Sequence, residues 1–459
     1  MANRIEHDVL GDVKVDADAY YGSETQRSLN NFQISGLRLQ NELIYALANV
    51  KIAAAVSNVR LGKLDKKRGD AIVKAAKEVV LGKLDDQFVV GVFQAGAGTS
   101  TNMNVNEVIA NRAIELLHGK KGDYSIVHPN DHVNMSQSTN DAFHSAIRIA
   151  TMLSIKNKLI PSLARLNKAL DRKSSEFGKV LKVGRTHLQD AVPMSLGQEF
   201  SAFSTAVFVE IERMNLAEEE LQYLPIGGTA IGTGINTPKG YKESVIKEIN
   251  RLTGCSFKNA KNFFYEIPDQ SSEAFVSGLL RNVAIVLNKI ANDLRLLTSG
   301  PSTGFGDIIL PEVQPGSSIM PGKINPSVPE MVNMVCFEVI GNDSVVANAA
   351  QNGQLQLNVF TPLIAFKLLQ SIEILSNAVD TLTTKCINGI RANEKLLRER
   401  LEHDMSIATA LSPYIGYARA AEIARKSYHT GKTVRQICLD EKVMSRDKLD
   451  RILDPKNLI

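Results

Sequence analysis

The stretch Gln314-Pro-Gly-Ser-Ser-Ile-Met-Pro-Gly-Lys-Ile-Asn-Pro326 interrupts a chain that is otherwise patterned for helices. Its three prolines and two glycines break any regular ladder. It gathers two hydroxyls (Ser317, Ser318), an ammonium (Lys323), an amide (Asn325) and the N–H groups of a glycine-rich backbone. Such a set of donors suits an anion on a mobile loop, and it equally suits a polar connection between helices.

Long apolar-periodic segments flank the loop. Before it, residues 271–299 place Phe275, Leu279, Val283, Val286, Leu287, Ile290 and Leu294 at helical spacing, and Gly300-Pro301 stops the pattern. After it, residues 327–355 and 362–384 predict two more long helices. Upstream, residues 143–177 and 195–224 read the same way, with Pro161 expected to kink the first and Pro225 to end the second. Segments of about 30 residues greatly exceed the usual ~11–12. Their nearly continuous apolar faces predict a long-helix bundle, or bundles packed between subunits. Two shorter helices are expected at 41–62 and 66–81. Polar loops are expected at 93–106 and 127–134, with a helix at 107–117 between them. Residues 1–40 read as turn-rich, and two or three small helices are expected after Gly389.

With 459 residues the chain exceeds one simple core, so two or three domains are expected. A net charge of +4, few aromatics and no tryptophan give no support for a nucleic-acid or acidic membrane partner. The four cysteines (Cys255, Cys336, Cys386, Cys438) are far apart and show no metal spacing, so the expected metal set is none. The start, Met-Ala-Asn-Arg-Ile-Glu-His-Asp8, lacks the apolar core of a secretory signal. No apolar run reads as long enough to cross a bilayer. A cytoplasmic protein with reduced thiols is expected.

Three more polar clusters punctuate the helical pattern: Gly98-Thr-Ser100, Ser138-Thr-Asn140 and Gly184-Arg-Thr-His187. Each is expected at or near the start of a helix, where free N–H groups and the positive dipole end favour a carboxylate or phosphate. Ser138-Thr-Asn140 also reads as a simple N-cap, and Thr186-His187 as a turn with a satisfied histidine. G-x-S-x-G is absent, and Gly316-Ser-Ser-Ile-Met-Pro-Gly-Lys323 has the wrong spacing for a P-loop. Hydroxyls, amides and one lysine without metal ligands suit a small polyanion.

At this point the residues resemble a known family. Gly316-Ser-Ser-Ile-Met-Pro-Gly-Lys-Ile-Asn-Pro326 looks like the signature of the aspartase/class II fumarase superfamily. Gly98-Thr-Ser-Thr-Asn-Met-Asn104, Ser136-Gln-Ser-Thr-Asn-Asp141, Gly184-Arg-Thr-His-Leu-Gln-Asp190, Gly228-Thr-Ala-Ile-Gly-Thr-Gly234 and Ile340-Gly-Asn-Asp343 resemble its other signature regions, in the family's order. The resemblance covers nearly the whole chain. It implies a mainly α subunit with a fumarase/aspartase-like fold: an N-terminal, mostly helical domain (1–137), a central long-helix bundle (138–389) and a small helical C-terminal domain (390–459). It also implies a homotetramer whose active sites each draw on three subunits, with a small dicarboxylate as substrate.

Carried over position by position, the resemblance makes Ser317 the general base that removes a proton next to a carboxylate. Thr99, Ser138, Thr139, Thr186, Ser318, Lys323 and Asn325 would bind substrate carboxylates. Asn140 and His187 would touch the leaving group, with Glu330 as the acidic partner of His187. His128, Asn130 and Asp131 resemble an accessory dicarboxylate site. No cofactor is implied as required, although a divalent cation activates some members. Gly98-Thr-Ser-Thr-Asn, Ser138-Thr-Asn140, Pro326-Ser-Val-Pro-Glu330, Gly353-Gln-Leu-Gln-Leu-Asn-Val359 and Asp16-Ala-Asp-Ala-Tyr-Tyr-Gly22 look more like the members that release ammonia from L-aspartate. His128-Pro-Asn-Asp131 and the tail Asp454-Pro-Lys-Asn-Leu-Ile459 look more like the fumarate hydratases, which release water from L-malate. Ser302 stands where arginine is usual, and His144-Ser145 where Pro-Thr is common. A non-catalytic role, as in lens crystallins of this superfamily, is disfavoured because Ser317, Lys323, Asn325, His187 and Glu330 are all present.

Overall fold

A computed structural model describes residues 2–454. The tail that reads as fumarate hydratase-like lies, beyond Asp454, outside the described residues. The structure is mainly α, as expected. Its longest helices are Ser271–Leu297, Ser327–Gln351 and Thr361–Lys385, of 27, 25 and 25 residues. The chain divides into two compact units. One comprises residues 1–161, 212–284 and 337–376; the other comprises 162–211, 285–336 and 377–459.

In the first unit the Asn41–Arg60 helix is central. It packs on Lys66–Val80, Thr139–Ser154 and Tyr241–Thr253. Leu43, Leu47, Val50 and Ile52 are all buried, and each contributes about 1.5–3 kcal/mol relative to exposure. Arg148, on Thr139–Ser154, is buried between Glu266 and Glu273, with Nε donating to Glu273 at 2.7 Å. Losing one partner of such a pair costs about 3–5 kcal/mol.

In the second unit a β-hairpin, Leu181–Thr186 paired antiparallel with Gln189–Ser195, packs on the Glu394–His403 helix and the Met405–Leu411 turn. The C-terminal helices close over their own core of Ile407, Leu411, Ile423, Ile437, Cys438 and Leu449.

Several expectations are corrected. The polar stretch before residue 107 is helical, because the helix runs Thr99–Leu116. Asparagine is a weak helix former, but Asn102, Asn104 and Asn106 are buried, and the amides of Asn102 and Asn104 bond to other segments. Tertiary pairing overrides propensity there. Pro161 causes no simple kink: a π turn at Ile155–Leu159 precedes it and joins Thr139–Ser154 to Ile160–Glu176. This widening accommodates a residue with no N–H to give. The expected 195–224 helix is two, Leu196–Met214 and Leu216–Leu221. Residues 3–16 form a hairpin rather than turns.

Three helical segments are also apolar and long enough to cross a membrane, where none is expected from the sequence: Asn41–Arg60, Ser271–Leu297 and Thr361–Gly389. Of their apolar windows 72%, 50% and 67% is already buried inside the protein, so that apolarity is used for packing.

Candidate active site

The 316–325 loop is closed at its neck. Gly316 N–H donates to the Lys323 carbonyl at 2.7 Å, and Asn325 Nδ2 donates to the Gly316 carbonyl at 2.8 Å. A Cβ on Gly316 would stand 2.6 Å from the Lys323 carbonyl oxygen and 2.8 Å from Asn325 N, so only glycine lets the two strands of the neck approach this closely. Asn325 therefore ties the loop as well as offering an amide. Ser317 Oγ accepts the N–H groups of Met320 at 3.0 Å and Ile319 at 3.2 Å. Ser318 and Lys323 are exposed, and Lys323 Nζ has no hydrogen bond or ion pair among the described residues. Glu330 lies in the first turn of Ser327–Gln351.

Thr186 and His187 are not at a helix start. They lie at the tip of the hairpin, where Thr186 pairs with Gln189 across a two-residue turn. His187 and Leu188 have φ of 55° and 59°, the left-handed pair that matches strand twist in tight hairpins. Both are exposed. No hydrogen bond joins His187 to Glu330 among the described residues. Beneath the tip, the buried Asp307 carboxylate receives Arg185 Nη1 at 2.6 Å, Arg400 Nη1 at 2.9 Å and Lys182 Nζ at 3.2 Å.

In the other unit Ser138 caps Thr139–Ser154. Its Oγ accepts Asn140 N–H at 3.3 Å, and Asp141 returns the bond by accepting Ser138 N–H at 2.8 Å. The N-cap reading therefore holds for Ser138. Asp141 also accepts the N–H groups of Gly227 at 2.9 Å and Thr229 at 2.8 Å, and Asn140 Nδ2 donates to the Ala230 carbonyl at 2.8 Å. The cap and the 227–234 glycine turn are thus held as one piece. Burial pushes Asp141 up to about 6, against the pull of those three N–H groups.

Thr99 opens its helix immediately after Gly98, whose φ is 82° and whose missing Cβ would fall 2.5 Å from the Phe143 ring. One turn on, Asn102 Nδ2 donates to Thr139 Oγ1 at 3.1 Å, which brings the Thr99 helix and the Ser138-Thr-Asn140 cluster together. His128, Asn130 and Asp131 share a π turn. His128 Nδ1 accepts the N–H groups of Asn130 and Asp131, both at 3.2 Å. Between the two clusters is a residue that sequence reasoning missed. Lys51 Nζ, fully buried, donates to the side-chain oxygens of Asn102 (2.7 Å), Asn134 (2.9 Å) and Gln137 (3.0 Å). Burial pushes it down to about 7, while the Asp141 carboxylate pulls it back up. The available signal was a lysine at i+4 from Leu47, on the stripe that faces the core. Asp141 and Asp307 were also not singled out.

Of the two departures from the family pattern, Ser302 is exposed in its turn, whereas His144 and Ser145 are buried. Burial and the nearby Arg148 push His144 down to about 3, so its ring is neutral near neutral pH. No group of three or more His, Cys, Asp or Glu placed to hold a metal occurs among the described residues. A cavity of about 690 Å³ near Lys179, Arg398, Ile407 and Arg435 contains none of the candidate residues. Chemically, the clusters bring together hydroxyls, amides and one lysine, each with N–H or O–H groups that can donate to a carboxylate.

The comparisons with known proteins agree with this chemistry. A family model described as "Lyase" matches residues 11–341, and one described as "Fumarase C C-terminus" matches residues 407–459. An aspartate ammonia-lyase of Helicobacter pylori is 48% identical over 99% of this chain and 98% of its own length. A class II fumarate hydratase of Thermosynechococcus vestitus is 45% identical over 98% of this chain and 96% of its own length. The crystal structure of a cobalt-bound Brucella melitensis protein described as fumarate lyase:delta crystallin superposes with a TM-score of 0.96, at 48% identity and 99% coverage of both chains. The chain therefore belongs to the lyase family that contains the aspartate ammonia-lyases and the class II fumarate hydratases.

Proposed function

We propose that this enzyme catalyses the reversible anti elimination of ammonia from L-aspartate to give fumarate. Ser317, as an alkoxide, takes the proton from the carbon next to one carboxylate. The electron pair moves into that carboxylate, giving a doubly charged aci-carboxylate. Collapse of that intermediate forms the carbon–carbon double bond and expels the amino group. Ser318, Lys323, Asn325, Thr99, Ser138, Thr139 and Thr186 hold the carboxylates, and Asn140 and His187, with Glu330 behind the histidine, face the leaving group. Aimed donors carry most of the barrier reduction in such a step, and no cofactor is needed.

The observation that carries this reading is the Ser317 hydroxyl, whose oxygen already receives two backbone N–H groups on a glycine-tied loop. Exposed Phe208, Phe275, Met334 and Phe337 on the long helices support a homotetramer of packed bundles with shared sites. The near-balanced charge gives no basic argument for a nucleic-acid or acidic membrane partner, and a cytoplasmic location is part of the same proposal.

Ammonia is preferred as the leaving group because Ser138-Thr-Asn140 and Gly353-Gln-Leu-Gln-Leu-Asn-Val359 resemble the aspartate-specific members. The second reading, fumarate hydratase acting on L-malate, is favoured by the resemblance of the His128–Asp131 turn and of the tail from Asp454 to the fumarate hydratases. Absorbance at the fumarate band, with L-aspartate and separately with L-malate, decides between them. Fumarate from aspartate is expected; fumarate from malate only would reverse the assignment, and none from either would revive a structural role. Ser317→Ala is expected to abolish turnover while leaving the oligomer intact, and near-normal turnover would remove Ser317 as the base.

A further inference from the structure

Lys51 Nζ is fully buried with no carboxylate bonded to it. It donates to all three side chains that meet it, which turns their oxygens inward. These are the side chains of Asn102, Asn134 and Gln137. This fixes where each amide nitrogen points. For Asn102 the nitrogen faces Thr139 Oγ1 at 3.1 Å and Asn134 Oδ1 at 3.3 Å.

The bond to Thr139 has a consequence for that hydroxyl. Thr139 Oγ1 accepts there, so its single proton remains to be given elsewhere. In helices a threonine commonly gives it to a carbonyl one turn back. The Met135 carbonyl, four residues back, already receives Asn58 Nδ2 at 3.0 Å and Gln137 Nε2 at 3.2 Å. Thr139 is the first residue of Thr139–Ser154, beside the free N–H groups of that helix.

We infer that Lys51 and Asn102 are positioning residues for substrate binding. Lys51 locks the Asn102 amide so that its nitrogen occupies a lone pair of Thr139 Oγ1 and leaves the hydroxyl proton for a substrate carboxylate. The inference rests on the reading of Thr139 as a carboxylate donor.

The test uses Asn102→Asp, Asn102→Ala and Thr139→Val, with each Asn102 change also made in the Thr139→Val background. Aspartate at position 102 keeps an oxygen on Lys51 and adds an ion pair, so the fold is retained. It presents an acceptor to Thr139, and so captures the proton that the substrate needs. The readouts are melting temperature and steady-state kinetics with fumarate, which is common to both candidate reactions. Asn102→Asp is expected to raise KM for fumarate by about tenfold or more, the worth of a donor to a charged group. Because the lost contact is uniform binding, kcat changes little. Asn102→Ala, which removes the orienting donor without capturing the proton, is expected to raise KM less. Neither change adds to Thr139→Val.

If Asn102→Asp leaves KM unchanged while Thr139→Val raises it, or if the effects simply add, the positioning role is wrong and Thr139 remains a donor. If Thr139→Val itself leaves KM unchanged, the donor reading fails and the inference with it. Should Asn102→Asp not fold, the same comparison is decided by Asn102→Ala.

Discussion

Asp307→Asn is the perturbation that most directly links fold to site. The carboxylate is fully buried, and Arg185, Arg400 and Lys182 meet it at 2.6, 2.9 and 3.2 Å. The substitution keeps shape and removes one charge. The three cations do not depend on it equally. Lys182 keeps Glu199 at 2.8 Å. Arg400 keeps the carbonyls of Gly304 and Phe305. Arg185 keeps only the face of the Phe305 ring, 4.3 Å from its guanidinium carbon. The loss therefore concentrates on Arg185, one residue before Thr186 and two before His187. Removing one partner of a buried pair costs about 3–5 kcal/mol. The lower end applies, because Arg400 is one-third exposed and an amide oxygen still accepts one bond. About 3 kcal/mol is thus expected in the denaturant stability of the purified enzyme. A rise in KM for fumarate is expected with it, measured at a temperature where the variant remains folded. A loss below about 1 kcal/mol with unchanged KM would show that the hairpin tip is positioned without Asp307.

Three further outcomes follow from the geometry. Gly98→Ala forces a left-handed residue and places a methyl group against the buried Phe143 ring. Strain and overpacking together are expected to cost about 2–4 kcal/mol and to weaken fumarate binding, read by unfolding and by KM; stability within error of the parent would refute the close packing. His144 has its folded pKa depressed to about 3 by burial and by Arg148, itself paired with Glu266 and Glu273. Its contribution is present above the unfolded value of about 6.5 and is lost as pH falls, about 2 kcal/mol by pH 5. His144→Phe should therefore flatten the fall in stability between pH 6.5 and 5, and an unchanged slope would show that His144 does not titrate on unfolding. Gly316→Ala pushes apart the loop neck at the Lys323 carbonyl and is expected to lower kcat without changing thermal stability, since the loop is exposed; equal kcat would mean that neck closure is irrelevant to turnover.

The long helices were legible because their apolar spacing is strong over 25 residues or more, and Gly300-Pro301 and Pro326 mark their ends. The 181–195 hairpin was not. Gly184-Arg-Thr-His-Leu-Gln-Asp190 carries no Asn-Gly or Asp-Gly turn signal, because His187 and Leu188 supply the two left-handed residues. The 99–106 stretch failed for the opposite reason: its local polarity predicts a loop, and only partners distant in sequence make buried amides tolerable in a helix. Lys51 illustrates the same limit. A lysine within an apolar stripe can be found in the sequence, but the amides that satisfy it come from positions 102, 134 and 137, and no local pattern joins them. The signature loops were recognisable as sequence, whereas the residues that hold them (Asp141, Asp307, Asn102) act through pairings that form only on folding.

The proposed base sets a quantitative demand on its surroundings. A hydroxyl ionises near the value for water, far above neutral pH. Holding an alkoxide at pH 7.5 therefore costs about 11 kcal/mol. The Ile319 and Met320 N–H groups are already directed at Ser317 Oγ, and a bond to a charged oxygen contributes about 1.5–3 kcal/mol. The two together supply about 3–6 kcal/mol, so at least about 5 must come from elsewhere. Lys323 is the only cation in the 316–325 loop, and in open water its charge is screened to about 1 kcal/mol at 4 Å. Only exclusion of water raises that interaction to the several kcal/mol required. In a single protomer the loop and Lys323 are exposed, so on the proposal that Ser317 is the base the missing stabilisation must come from bound substrate and from the neighbouring subunits of the proposed tetramer, which together exclude water from Lys323.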